Sequence, residues 1–71
     1  MIRFKLKTNS IELCKLLKAV NLVGSGGEGK EIISQGYVKV DGNIETRKRC
    51  QIHAGQNVLF NEKTICVINK D

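Results

Sequence analysis

The sequence predicts an α+β domain: two packed helices against a small, mostly antiparallel β-sheet. Three observations carry that reading. Apolar residues and cations alternate at the N-terminus (Ile2-Arg3-Phe4-Lys5-Leu6-Lys7). Leu13, Leu16, Leu17 and Val20 then follow the helical repeat. Further on, Val38-Lys39-Val40 runs into Asp41-Gly42, the dipeptide whose ready access to positive φ makes a tight hairpin.

Each element follows from its residues. Period-two alternation over Ile2 to Leu6 indicates a strand with one apolar face. Asn9 with Glu12 three residues later has the spacing of a capping box, which predicts a first helix from Ser10 to Val20 with Lys15 and Lys18 outside. Gly24, Gly26, Gly27 and Gly29 break the periodicity in a tight turn. A second, two-turn helix follows from Glu28 to Gln35, carrying Ile32 and Ile33 inward. Gly36 stops it, because glycine adopts the left-handed conformation at little cost. Tyr37 to Val40 forms a strand, Asp41-Gly42 turns, and Ile44 to Ile52 returns as a basic strand. Gly55 turns again, and Val58 to Phe60 and Thr64 to Ile68 make two strands around Asn61-Glu62.

Composition narrows the function. Seventy-one residues suffice for one domain, residues 1–71, near the lower size limit for an independent core. With 41% hydrophobic residues and neither Trp nor Pro, the core is small and aliphatic. Such a core leaves little room for a deep, water-excluding pocket, which argues against an enzyme. Twelve Lys and Arg against seven Asp and Glu give a formal charge of +5 and favour polyanionic partners. Cys14, Cys50 and Cys66 are odd in number and sit among apolar neighbours, so reduced thiols turned into the core are expected. With no membrane-length apolar run and no signal-peptide pattern, the expectation is a soluble, cytoplasmic protein.

Two motifs invite chemistry and do not support it. Gly24-Ser25-Gly26-Gly27-Glu28-Gly29-Lys30 has the glycine and lysine spacing of a phosphate-binding loop. Glu31, however, stands where a hydroxyl would hold magnesium, and a helix precedes the loop in place of a buried strand. Cys50 and His53 have C-x-x-H spacing, but a structural zinc needs four ligands and no second pair exists. No catalytic set, cofactor site or metal site is expected. The basic residues remain. Lys30 lies at the start of the second helix, Lys39 points out of its strand, and Arg47-Lys48-Arg49 follow the hairpin. If the hairpin folds beside the helix, these cations can line one face and grip phosphates. Acids are interspersed: residues 28–49 hold five bases and four acids.

The frame from Ser25 through Gly36, then Tyr37-Val38-Lys39-Val40-Asp41-Gly42 and a basic segment, resembles the RNA-binding domain first named from ribosomal protein S-four, the alpha-L motif. The resemblance covers roughly residues 9–60. With Glu45 to Cys50 and Ala54-Gly55-Gln56 included, it is closest to the small, stand-alone bacterial members of the YbcJ type. It implies a non-enzymatic, monomeric module that binds structured RNA, ribosomal or transfer RNA, with the ribosome as a further possible partner. The RNA-binding residues carried over are Ser25 at the helix start, Lys30 on the helix, Lys39 on the strand, and Arg47, Lys48 and Arg49. Two departures stand out: Gly26 where many members have Arg, and Gly29 in place of Ala, which weakens the helix by about 1 kcal/mol. RNA would be held by its backbone, because A-form helices hide their major-groove edges. Tyr37 is the one ring expected outside; Phe4 and Phe60 are expected in the core. The rival expectation is a protein-interaction module docking on a ribosome or RNA-processing partner through the helix pair.

Overall fold

The computed structural model describes residues 1–69. Seven strands and two helices follow in the order β1 (Ile2–Lys5), β2 (Ile11–Glu12), α1 (Leu13–Ala19), α2 (Gly26–Ser34), β3 (Val38–Val40), β4 (Asn43–Ile44), β5 (Gln51–Ile52), β6 (Asn57–Phe60) and β7 (Lys63–Ile68). Five strands make one sheet in the order β1-β7-β6-β3-β4, antiparallel except where β1 runs parallel to β7. β2 and β5 form a separate antiparallel pair. This is the predicted α+β architecture.

The core lies between the helices and one sheet face. Leu13, Leu16 and Leu17 of α1, Ile33 of α2, and Val38, Val58, Ile65 and Val67 of the sheet are fully buried, joined by Ile52 from β5. Alternation puts the intervening strand residues on the other face, which no helix covers. Phe4 and Phe60 are half-buried at the core margin, and Tyr37 is 61% exposed, as expected of an outward ring. The inward reading of the cysteines holds for Cys14, which is buried, and for Cys50, which packs partly buried against the core, but not for Cys66. Cys50 and Cys66 are only partly buried, and Cys66 alternates with buried Ile65 and Val67 and so lies on the uncovered face.

Both helices end in the same way. Gly36, at φ 83°, follows α2; its N–H donates to Ile33 O, and that of Tyr37 donates to Ile32 O. Asn21, at φ 61°, follows α1, with bonds from Asn21 N–H to Lys18 O and from Leu22 N–H to Leu17 O. Each is a Schellman closure, in which a left-handed residue lets two amides cap the last carbonyls. Both hairpins are also left-handed at two positions: Asp41 and Gly42 at 51° and 86°, and Asn61 and Glu62 at 52° and 67°. Positive φ at both central residues matches the right-handed strand twist.

The start of α1 differs from the expected Asn9 capping box. The helix begins at Leu13, after Glu12, with no side-chain cap. Its first amides are satisfied by a distant segment: Leu13 N–H donates to Cys50 O at 2.9 Å, and Cys14 N–H to Lys48 O at 3.3 Å. Ile11 and Glu12 pair with Ile52 and Gln51 instead of entering the helix. The expected single return strand from Ile44 to Ile52 is likewise divided. Only Asn43 and Ile44 pair with β3, and Gln51 and Ile52 pair with β2. Once the chain crosses from the sheet to the start of α1, it cannot remain in register with β3.

Candidate nucleic-acid interface

The glycine segment is more ordered than a turn. Ser25 is the N-cap of α2: its Oγ accepts from Glu28 N–H at 3.1 Å, while Glu28 Oε1 accepts from Gly24 N–H at 2.6 Å. This reciprocal cap reaches one residue further back than the usual box. It draws Gly26 and Gly27 into the first helical turn, so α2 starts two residues before Glu28. The Gly24 amide, which a phosphate-binding loop would offer to its ligand, is held by a carboxylate. Lys30 stands exposed on the next turn.

Gly29 marks the contact between the helices. A Cβ there would lie 3.3 Å from Cys14 O, tighter than most side chains tolerate. The helix propensity lost at this position is therefore accompanied by close approach of α2 to the start of α1.

Arg47, Lys48 and Arg49 form a turn, closed by Cys50 N–H donating to Arg47 O at 3.1 Å. The two bonds to the α1 amides tie its backbone down. A second restraint comes from Glu45, whose carboxylate accepts from the Arg47 amide at 3.0 Å, from Nε at 2.9 Å and from a terminal guanidinium nitrogen at 3.1 Å. These hydrogen bonds from Arg47, with its positive charge, hold the Glu45 carboxyl at about 2, well below the usual carboxylate range. Burial and the nearby Glu45 charge push the Cys50 thiol up, which disfavours its thiolate. Lys48 and Arg49 are exposed and have no ion-pair partner among the described residues.

The candidate residues thus fall into two groups. Gly29 and the Lys48 carbonyl both bear on Cys14, so the first half of α2 and the 47–50 turn converge at the start of α1. Ser25 at the cap and Lys30 lie on that half of α2, and Arg47, Lys48 and Arg49 lie in the turn. Lys39 lies elsewhere. It alternates with buried Val38 and Val40 and pairs with exposed Ile44 and Leu59, which places it on the sheet face away from the helices.

The acids read as dilution of the basic segment have structural positions. Glu28 caps α2, Glu45 clamps Arg47, and Asp41 accepts from Asn57 N–H at 2.9 Å and from Gln56 Nε2 at 3.2 Å. Glu28 and Glu45 are held by partners within four residues, whereas Asp41 depends on a segment 15–16 residues away that folding brings to it. Sequence reasoning also left out Arg3 and Lys5, which share the outward sheet face with Lys39; their alternation with Ile2, Phe4 and Leu6 was the available signal.

Known proteins share this arrangement. Residues 4–68 match the S4 domain family. Over 58 residues, 82% of this chain and 83% of the relative, the sequence is 50% identical to the Escherichia coli (strain K12) protein named "Putative RNA-binding protein YbcJ". The same identity and coverage relate it to YbcJ of Shigella flexneri. The solution structure of E. coli YbcJ, described as revealing an alpha-L motif involved in RNA binding, matches with a TM-score of 0.74 at 48% identity. That match covers 96% of this chain and 87% of YbcJ. The crystal structure of 30S ribosomal protein S4e from Thermoplasma acidophilum shares the fold, with a TM-score of 0.60 at 22% identity over 82% of this chain and 31% of that protein. A helix pair joined through a capped serine start, a left-handed Gly36 stop and an Asp41-Gly42 hairpin, matched by a family model from residue 4 to residue 68, leads to one assignment: the chain belongs to the S4 domain family.

Proposed function

We propose that residues 1–71 act as a single, non-enzymatic RNA-binding domain that grips the backbone of structured RNA, ribosomal or transfer RNA, as a monomer in the bacterial cytoplasm. The observation that carries this reading is the 47–49 turn. Its backbone is tied to the first amides of α1 and its Arg47 is clamped by Glu45, while Lys48 and Arg49 remain exposed. A cationic turn held in this way loses little conformational entropy on meeting a phosphate. Lys30 and the cap residue Ser25 extend the contact from α2, and Lys39 supports it from the sheet. Kinship with YbcJ, whose name and structure refer to RNA binding, supports the same reading.

RNA duplexes present phosphates and 2′-hydroxyls across a shallow minor groove, and short cations on a rigid turn suit that surface better than base-reading side chains would. With Tyr37 the one exposed ring among the Phe and Tyr side chains of the described residues, stacking on unpaired bases contributes little. The ribosome is the natural setting for such an RNA.

The test is a titration of the full chain against a structured ribosomal RNA hairpin at several salt concentrations. Affinity should fall with salt at a slope equivalent to roughly three to six phosphate contacts. Lys48→Ala with Arg49→Ala should lower that slope by about two contacts. Absence of binding at low salt, or an unchanged slope in the double variant, would refute the assignment.

A further inference from the structure

The face of the five-stranded sheet that the helices leave open has an arrangement that RNA binding does not use in full. On β3, next to the β4 edge strand, stands Lys39, flanked in register by Ile44 on one side and Leu59 on the other. On the far edge strand, β1, stand Arg3 and Lys5, in register with Cys66 and Ile68 of β7. Leu59 and Asn57 of β6, with Thr64, Cys66 and Ile68 of β7, therefore form a mixed apolar and uncharged polar middle strip with cations on both borders. Ile44 is 62% exposed and Leu59 38%. No strand residue on this face carries a carboxylate; Asp41 and Glu62 lie in the hairpin turns at its ends.

We infer that this open sheet face docks an amphipathic helix of a partner protein, one whose aliphatic stripe is bordered on both sides by Asp and Glu. The dimensions fit. β3 and β1 are three strand spacings apart, roughly 14 Å at about 4.8 Å each. A helix with its side chains is about 10–12 Å across. Laid along the middle strip, it would bury aliphatic side chains on Leu59 and Ile68 and hold its flanking carboxylates over Lys39 on one side and Arg3 and Lys5 on the other.

Charge complementarity decides among occupants. A second copy of this chain would bring the same cations against each other. RNA phosphates would satisfy the cations but offer nothing aliphatic to cover Leu59 and Ile68. A carboxylate-bordered aliphatic helix satisfies both. The face is small, so the complex should belong to the weak, transient class and dissolve as salt screens the border charges. Lys39 is shared with the proposed RNA contact, whereas Arg3, Lys5 and Leu59 are not, and the α1–α2 junction and the 47–49 turn belong to the other layer, so the two readings can be tested apart.

The experiment selects displayed random peptides of about 16 residues, long enough for marginal helices to form on binding, against the immobilised full chain. Enriched sequences should carry Leu or Ile at helical spacing with Asp or Glu beside them. They should shift the backbone amides of Leu59, Cys66 and Arg3 in a nitrogen-15 spectrum of the wild-type protein. A variant combining Arg3→Glu, Lys5→Glu and Leu59→Ser should bind them about tenfold or more weakly, a loss equal to 1.4 kcal/mol or more. Enrichment of no acidic–aliphatic sequence, or amide shifts confined to other surfaces, would overturn the proposal. The wild-type shift map stands even if the triple variant loses its fold. A ribosomal RNA hairpin that moved the Arg3 and Cys66 amides would make the face an RNA surface and overturn it too, whereas an RNA that failed to bind anywhere would refute only the RNA assignment.

Discussion

Replacing Asp41 tests how the central hairpin is held. The side chain accepts from Asn57 N–H at 2.9 Å and from Gln56 Nε2 at 3.2 Å, while its own amide donates to Asn57 O at 2.8 Å. Asp41→Ala removes both side-chain bonds, each worth about 1 kcal/mol at this exposed position. It also places Ala at φ 51°, where a residue without a local polar side chain pays roughly a further 0.5–1 kcal/mol. The expected loss is about 2–3 kcal/mol. A chain of this length is stable by roughly 4–11 kcal/mol, so the loss is a large fraction of the whole. Thermal unfolding followed by circular dichroism should show a Tm lower by about 10–20 °C. Asp41→Asn is the control. It keeps an acceptor for the Asn57 amide and tolerates the left-handed turn, so it should stay within about 0.5 kcal/mol of the parent. If Asp41→Ala matched the parent, or Asp41→Asn fell as far as Asp41→Ala, the hairpin would not be held as argued.

Three further outcomes follow from local geometry. Glu62 sits at φ 67°, and Glu62→Gly should raise stability by about 1 kcal/mol in urea unfolding, because glycine pays no Cβ penalty there. Ser25→Ala removes the hydroxyl that caps α2 and should cost about 1 kcal/mol, with early loss of amide protection at Glu28 in hydrogen exchange. The Glu45 carboxyl, held at about 2 against an ordinary 4.5, adds stability that is complete above pH 4.5 and lost as pH falls through about 2. Glu45→Gln should therefore flatten the decline of Tm between those values, and carbon-13 titration of the wild-type carboxyl should give a midpoint near 2.

Much of the architecture could be read from local patterns. The β1 alternation, the Ile33 side of α2, the Gly36 stop and the Asp41-Gly42 turn are each set by neighbours within a few residues. The ends of α1 and the path after Ile44 were less legible. Asn9 and Glu12 had the right spacing for a cap, yet backbone carbonyls at Lys48 and Cys50, far along the chain, fill that role. No periodicity reports a partner so distant. The same limit applied to the cysteines: Cys66 has apolar neighbours on both sides, but its parity with exposed strand residues, not its neighbours, decides which face it takes.

The candidate site divides along the same line. The identity of Ser25, Lys30, Lys39 and the Arg47–Arg49 run, and their membership in an S4 domain frame, are properties of residue type and spacing. Which of them stand together is not. Packing of Gly29 on Cys14 and anchoring of Lys48 at α1 join one set, while strand parity sends Lys39 to the opposite layer beside Arg3 and Lys5. The sequence by itself determined the existence of both helices, the strands β1, β3, β6 and β7, the hairpin turns and the sign of the charge, because short-range sterics and hydrogen bonding act within a few residues. Only the tertiary structure decided which layer each cation joins and that Asp41 is spent on the Asn57 amide, because both depend on contacts between segments that folding alone brings together.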